Sequence, residues 1–174
     1  GTVSEYKTLD EAVEAAEDGA TIELLADCTT EGLNLSKSIM IQRAAGLDEN
    51  PTVTFEKHGI ALWGKDLTFK DCNVIMNGIG STPYTAEWNW MSVCASPSAS
   101  LSLENVSLTM DGTDAGNAHA IYFCSDNKLN VRNSTLVIRN YEQDALEWDG
   151  GDGGYNVNIE NSTFLSDTKR SGFT

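Results

Sequence analysis

The sequence is short of basic residues. It has 11 Lys and Arg against 26 Asp and Glu, so its 174 residues carry a formal net charge of −15 at pH 7. A negative field of this size repels phosphate groups, and no basic patch offsets it. The composition therefore argues against nucleic acid, anionic membranes and polyanionic substrates as partners.

Long hydrophobic runs and closely spaced cysteine pairs are also missing. No stretch approaches the roughly 18 consecutive apolar residues of a membrane-spanning helix, so we expect no membrane insertion. Cys28, Cys72, Cys94 and Cys124 are too few for a disulfide scaffold and lack the CxxC spacing of a zinc site. With 40% hydrophobic residues, the chain is expected to fold as one domain around a substantial core.

An internal repeat is the strongest pattern present. Four segments align without gaps, and they start 34, 28 and 28 positions apart: residues 67–78 (LTFKDCNVIMNG), 101–112 (LSLENVSLTMDG), 129–140 (LNVRNSTLVIRN) and 157–168 (VNIENSTFLSDT). Apolar residues at the first and third positions have the period of a strand with one buried face. The fifth position is Asp or Asn, which tolerate left-handed backbone, so it predicts a turn at Asp71, Asn105, Asn133 and Asn161.

A further strand is predicted before each repeat, in residues 58–64, 89–95, 119–125 and 144–150. Alternation predicts these inward pairs: Ile60/Leu62, Met91/Val93, Ile121/Phe123 and Leu146/Trp148. The outer face would carry Ala61, Ser92, Tyr122 and Glu147, and the next turn Trp63, Cys94, Cys124 and Asp149. Three short strands in each unit of about 28 residues predict an all-β parallel β-helix, in which stacked coils share one core.

The ends of the chain differ from these repeats. Residues 1–20 contain an apolar stripe at helical spacing, with Thr8 as N-cap and Gly19 as stop, which predicts a short capping α-helix. Residues 21–174 would then form the coils. Because no second cap is visible after the last repeat, we expect the chain to be truncated at its C-terminus and to belong to a larger multidomain protein.

The segments TLDEAVEAAEDGATIELL and DALEWDGGDGGYNVNIENSTF resemble the right-handed parallel β-helix proteins of the pectate-lyase-like superfamily, over nearly the whole chain. The resemblance implies a right-handed parallel β-helix solenoid, here of about five to six coils. It also implies ligands along the outer face of the strands in residues 58–64 and their counterparts. The opening resembles β-helix modules in large surface proteins of Gram-positive gut bacteria, which implies an extracellular or cell-surface bacterial location.

Aromatic residues beside carboxylates provide the main functional clue. The loops of variable length, residues 77–89, 111–119 and 139–144, are called the variable loops. These loops and the outer face together contribute the candidate ligand-binding residues Tyr84, Trp88, Trp90, Tyr122, Tyr141 and Glu147. Such surfaces suit sugars, whose rings have apolar C–H faces and hydroxyl donors. We therefore expect a non-catalytic binding or adhesion module whose ligand is a glycan or a host glycoprotein such as mucin or immunoglobulin.

The acidic cluster after residue 141 supports two alternatives. Asp144, Glu147 and Asp149 are candidate acid and base residues of a glycoside hydrolase, although the resemblance identifies no complete catalytic set. Asp144, Asp149 and Asp152 are a weaker candidate for Ca²⁺, and otherwise no metal or cofactor is expected. A polysaccharide lyase is disfavoured, because the predicted outer face has no basic residue to abstract a proton. A structural spacer is the remaining interpretation.

The two histidines, His58 and His119, fall at the same position of their segments, two coils apart. A turn-forming or hydrogen-bonding role is expected for both. Cys94 and Cys124 are predicted to share one turn position in successive coils, where a disulfide and two free thiols are both compatible with the strand spacing of about 4.8 Å.

Overall fold

A computed structural model describes residues 3–83, 90–124, 126–149, 156–170 and Gly172. These residues form an all-β fold with one short helix. In chain order the elements are α1 Leu9–Ala15, β1 Ala20–Leu24, β2 Cys28–Thr30, β3 Leu33–Leu35, β4 Ile39–Arg43, β5 Thr52–Phe55, β6 Ile60–Leu62, β7 Asp66–Asn77, β8 Met91–Ala95, β9 Ser100–Asp111, β10 His119–Cys124, β11 Lys128–Arg132, β12 Thr135–Arg139, β13 Leu146–Asp149, β14 Asn156–Glu160 and β15 Thr163–Asp167.

The helix begins as predicted and ends early. The Thr8 side chain accepts a hydrogen bond from the backbone N–H of Glu11, which satisfies one of the free donors of the first turn. The helix ends at Ala15 rather than near Gly19, and Lys37 Nζ donates to the carbonyls of Glu14 and Ala16. A cation at the C-terminal end of a helix compensates its unpaired carbonyls, so this contact stabilises the early end.

In the described part of the chain, the larger of two parallel sheets has ten strands and contains two strand series. One series runs in the order β1-β4-β7-β9-β11-β14, and the other joins β2, β5, β12 and β15 through the second halves of β7 and β9. The predicted repeat register is confirmed, since Leu101 pairs with Leu67 on one side and with Leu129 on the other. We call this the large sheet.

The predicted turns of the large sheet are confirmed by the backbone. Asp71, Asn105, Asn133 and Asn161 have φ angles of 51°, 54°, 51° and 48°. Asn105 Nδ2 also donates to Asp71 Oδ1 at 2.7 Å, which joins two members of this column across neighbouring strands. Because left-handed backbone is costly for most residues, the Asn and Asp column explains why each repeat bends at the same place.

The second sheet, called the small sheet below, has five strands in the order β13-β10-β8-β6-β3. Its predicted register is correct between β10 and β13, where Ile121 pairs with Leu146. The prediction for β8 is wrong by two residues, because Ile60 pairs with Val93 rather than with Met91. Val93 and Ala95 therefore fill the inward positions of β8.

The core lies between the inward faces of these strands. It contains the inward residues of both sheets, and Leu9 of the helix joins it. Burial of these apolar side chains between the parallel strands is the main contribution to the stability of the fold. The parallel pairing throughout is consistent with a β-helix solenoid.

Candidate functional site

One row of residues crosses the outer side of the small sheet. Strand pairing places Asn34, Ala61, Cys94, Tyr122 and Glu147 in successive strands at the same level. The predicted positions of Ala61, Tyr122 and Glu147 are confirmed. The predicted position of Ser92 is wrong, because the register shift of β8 puts Cys94 in the row.

Ser92 is buried instead of facing a ligand. Its hydroxyl donates to the carbonyl of Ile79 at 2.5 Å and lies 2.9 Å from Tyr141 Oη. The Tyr141 hydroxyl also donates to the Ile79 carbonyl, and the Tyr141 ring is fully buried. Burial raises the pKa of Tyr141 to about 12, so its hydroxyl stays protonated. Tyr141 thus closes the core and has no exposed ring surface for a ligand.

His119, Asp144 and Glu147 converge at one edge of the same row, and we call them the His119 cluster. His119 Nδ1 lies 2.6 Å from Glu147 Oε2 and 3.5 Å from Asp144 Oδ2. One ligand atom from each of the three residues lies within 4.8 Å of the other two. The cluster therefore brings an imidazole nitrogen and two carboxylates close enough together to contact a single ion.

An irregular pairing of β10 brings His119 to this face. The N–H groups of Ala120 and Ile121 donate to the carbonyls of Asp144 and Ala145, respectively, each at 3.1 Å. In a regular parallel ladder, neighbouring N–H groups point to opposite sides, so two consecutive bonds to one segment interrupt the alternation. His119 would point inward with Ile121 if alternation held, but its ring packs against Tyr122 on the outer side, with centroids 6.0 Å apart.

The His119 cluster is mostly removed from solvent. The side chains of His119 and Asp144 are 8% and 3% exposed, and that of Glu147 is 30% exposed. Burial lowers the pKa of His119 from its ordinary value, against the opposing effect of the Glu147 and Asp144 carboxylates. The cluster therefore holds two acidic side chains and one imidazole with little contact with water.

An aromatic group borders the cluster. The Trp90 ring is 5.0 Å from Tyr122 and 5.4 Å from His119 between centroids, and both contacts are edge-on. Trp90 remains 36% exposed. Tyr122 Oη donates to Asp149 Oδ2 at 2.7 Å, and burial together with this bond raises the pKa of Tyr122 above its usual range. Trp90, Tyr122, Glu147 and Asp149 form what we call the outer patch.

The predicted acidic residues contact two different partners. Asp144 and Glu147 approach His119, whereas Asp149 accepts a hydrogen bond from Tyr122. Asp144 is almost fully buried, so its carboxylate has little access to a substrate. Among the predicted ligand and metal residues, Tyr84, Trp88 and Asp152 lie outside the described residues.

His119 is the site residue that sequence reasoning did not select. The predicted alignment already placed it at the first position of its segment, with Asp144 at the first position of the next. Residues at one position of successive coils lie about 4.8 Å apart, so this pairing of base and acid was the available signal.

Cys94 and Cys124 do not share a turn position. Cys94 pairs with Tyr122, and Cys124 pairs with Asp149 in the next strand. Both thiols are free, and burial raises the pKa of Cys94 to about 12 and that of Cys124 above its ordinary value. At neutral pH both are therefore protonated thiols, which are weak nucleophiles and weak metal ligands.

A separate open cavity of about 830 Å³ lies beside the described residues of the variable loops. Its lining includes Asn117, Asn140, Glu142, Asp167 and Lys169. Beside it, the Asp111 carboxylate accepts hydrogen bonds from Asn140, Thr113 and Arg139. These donors hold the pKa of Asp111 well below its usual range, with the Asn140 bond contributing most. The cavity is lined by hydrogen-bonding groups rather than aromatic rings.

No family model matches this chain, and no curated protein matches its sequence. In the described part of the chain, no helix has the length and apolar character needed to cross a membrane.

Proposed function

We propose that this chain is a non-catalytic binding module that holds a glycan or glycoprotein on the outer patch of its small sheet. The observation that carries the proposal is the exposed Trp90 ring, packed edge-on against Tyr122, which pairs with Glu147 and donates a hydrogen bond to Asp149. An aromatic surface beside carboxylates matches the two surfaces of a sugar, its C–H face and its hydroxyl groups.

The side chains of the outer patch are ordered before a ligand binds. Trp90 and Tyr122 contact each other, so their positions are mutually restricted before a ligand arrives. Tyr122 is also anchored through its hydroxyl to Asp149. Side chains that are already ordered lose less entropy on binding, which increases affinity for a given contact area.

The charge of the chain narrows the ligand class. A net charge of −15 repels sulfated and sialylated glycans over a Debye length of roughly 8 Å at physiological salt. The carboxylates of the patch accept hydrogen bonds and do not compensate an anionic sugar. We therefore propose neutral sugars as the recognised class.

Glycoside hydrolysis is the second candidate. It is supported by the Asp144 and Glu147 oxygens, which lie within 4.8 Å of each other, close to the roughly 5 Å separation of retaining hydrolases. Two observations place it second. Asp144 is nearly inaccessible, and both carboxylates approach His119 rather than a shared cleft.

We also propose an architecture and a cellular location for the chain. Stacking of three strand series at about 28 residues per unit supports a right-handed parallel β-helix solenoid of about five to six coils, similar to the pectate-lyase-like superfamily. By the same resemblance, we propose an extracellular or cell-surface bacterial location within a larger multidomain protein, with mucin or immunoglobulin as examples of a glycoprotein ligand.

The test is binding of the purified protein to an array of neutral, sialylated and sulfated glycans and glycoproteins. We expect saturable binding to neutral glycans without product release, and loss of that binding in Trp90→Ala. Tyr6→Ala is the matched control, because Tyr6 is an exposed aromatic residue remote in sequence from the patch. Binding that is equal in both variants would contradict the proposal, and product release that disappears in Glu147→Gln would establish hydrolysis.

A further inference from the structure

We propose that His119, Asp144 and Glu147 form a binding site for a divalent transition-metal ion such as Zn²⁺ or Mn²⁺. The proposal does not depend on the glycan-binding function. Its first support is composition and proximity, since an imidazole nitrogen and two carboxylate oxygens lie within 4.8 Å of one another.

The second support is a buried nitrogen without a hydrogen bond. His119 Nδ1 is buried and makes no hydrogen bond, although Glu147 Oε2 lies only 2.6 Å away. The two carboxylates are therefore close to the nitrogen but do not satisfy it as hydrogen-bond partners. Buried polar atoms normally have a partner, so an orphaned ring nitrogen between two acids indicates a position suited to a metal ion.

Charge provides a third argument. Two carboxylates near one imidazole are costly to bury unless positive charge compensates them. The Arg170 guanidinium contributes some positive charge at His119, but its hydrogen bond goes to Gln143 Oε1 at 2.6 Å. A divalent cation would neutralise both carboxylates and accept the imidazole lone pair at the same time.

The distances between the ligand atoms require only a small adjustment to accommodate a metal ion. Metal–ligand bonds of roughly 2.0–2.2 Å in a tetrahedral arrangement set neighbouring ligand atoms about 3.3 Å apart. The Asp144 contact is already near this value at 3.5 Å, whereas Glu147 must withdraw from 2.6 Å. The Glu147 side chain is 30% exposed and can move by a rotamer change, while the two buried ligands stay fixed.

The donor set selects the class of metal. Imidazole suits Zn²⁺ and other transition metals, whereas Ca²⁺ and Mg²⁺ prefer oxygen ligands alone. Three protein ligands also leave at least one coordination position open for water or a bound ligand. This site shares only Asp144 with the Ca²⁺ alternative of Asp144, Asp149 and Asp152, and Asp149 is bonded to Tyr122.

The test is titration of chelator-treated full chain with Zn²⁺ by calorimetry, with Co²⁺ added separately as an absorption probe. We expect one site, weakened more than about tenfold in His119→Ala and in Glu147→Gln, since even outer-shell losses reach tenfold. Glu147→Gln covers the case in which the buried His119 variant fails to fold. The matched controls are His58→Ala and Glu104→Gln, because His58 bonds to Ser81 and Glu104 to Arg132 away from the cluster.

Further variants separate the His119 cluster from a thiolate site and from the outer patch. Cys94→Ser/Cys124→Ser should retain Zn²⁺ affinity, and bound Co²⁺ should show no thiolate charge-transfer band. Glycan binding is measured separately on the chelator-treated protein, so failure of glycan binding and failure of metal binding are distinguishable. Equal Zn²⁺ affinity in the wild type, His119→Ala and Glu147→Gln would overturn the proposal, as would tighter binding of Ca²⁺ than of Zn²⁺ or Mn²⁺.

Discussion

The large and small sheets share parallel pairing and an apolar inner face but differ in regularity. In the large sheet, each repeat keeps its register, and the turn column Asp71, Asn105, Asn133 and Asn161 keeps one backbone conformation. In the small sheet, the pairing of β10 is interrupted beside His119, and ionisable and aromatic side chains gather there. From this difference we infer that the large sheet contributes most to stability, whereas the small sheet departs from regular geometry where its ionisable side chains gather.

The two histidines show the same contrast at the level of single residues. His58 Nδ1 is 2.9 Å from the Ser81 hydroxyl, an ordinary hydrogen bond in a loop. His119 Nδ1 has two carboxylates within 3.5 Å and no hydrogen bond. A hydrogen-bonding role, expected for both from the sequence, therefore fits His58 and does not describe His119.

The largest expected effect is on the stability of the large sheet. Leu101 is buried at its centre, so Leu101→Ala should reduce the free energy of unfolding by about 3 kcal/mol through lost contacts and a cavity. Urea denaturation measures this loss. Leu25→Ala is the control, because Leu25 is exposed and should change stability by less than about 0.5 kcal/mol. Equal effects of the two substitutions would contradict the role given to the large sheet.

The turn column should give the next largest effect. Asn105 has a φ of 54°, so Asn105→Ala should cost about 1–2 kcal/mol for left-handed backbone, besides the lost bond to Asp71. Asn105→Gly removes the same side chain and relieves the strain, so it should be less destabilising. Thermal unfolding of both variants provides the comparison. A glycine variant less stable than the alanine variant would refute the backbone explanation.

The repeat made much of the large sheet predictable, while the small sheet was predictable only in part. Every repeat carries the same apolar spacing around one Asn or Asp, so alignment alone sets the register. The segment around Met91, Val93 and Ala95 is different, because apolar residues at every second position fit two registers equally well. A shift of two residues keeps the same face inward, so the hydrophobic pattern could not exclude it.

The His119 cluster could not be derived from alternation for a related reason. Alternation assumes a regular strand and directs His119 inward with Ile121. The interrupted pairing at Ala120 depends on how two neighbouring segments meet in space, and no residue type in β10 signals it. Position in the alignment, rather than alternation, contained the information that His119 and Asp144 are neighbours.

A smaller, acid-sensitive effect is expected at Asp111, the last residue of β9. Donors to Asp111 lower the pKa of its carboxyl in the folded state, so the ionised form stabilises the fold above about pH 4 and this contribution disappears as pH falls further. Asp111→Asn should therefore cost about 1 kcal/mol at pH 7. Denaturation at pH 7 and near pH 2 should show the difference shrinking in acid. A difference that is unchanged or larger in acid would contradict this assignment.

The smallest effect on stability is expected in the outer patch. Tyr122→Phe removes the hydroxyl that donates to Asp149 but keeps the packed ring, so it should cost less than about 1 kcal/mol. Glycan affinity should fall nonetheless, because Asp149 loses the contact that orients it. Parallel measurement of unfolding and binding separates the two effects. A stability loss as large as that of Leu101→Ala would remove the distinction between the sheets.

The most direct test of the account is the affinity of Trp90→Ala, measured calorimetrically with the neutral glycan that binds best to the wild-type protein. Aromatic side chains are frequent binding hot spots that cost about 2 kcal/mol or more when truncated, which corresponds to roughly thirtyfold weaker binding. We expect a loss of that order in Trp90→Ala and unchanged affinity in Tyr6→Ala, with both variants folded. Wild-type affinity in a folded Trp90→Ala variant would show that the outer patch of the small sheet is not the binding site.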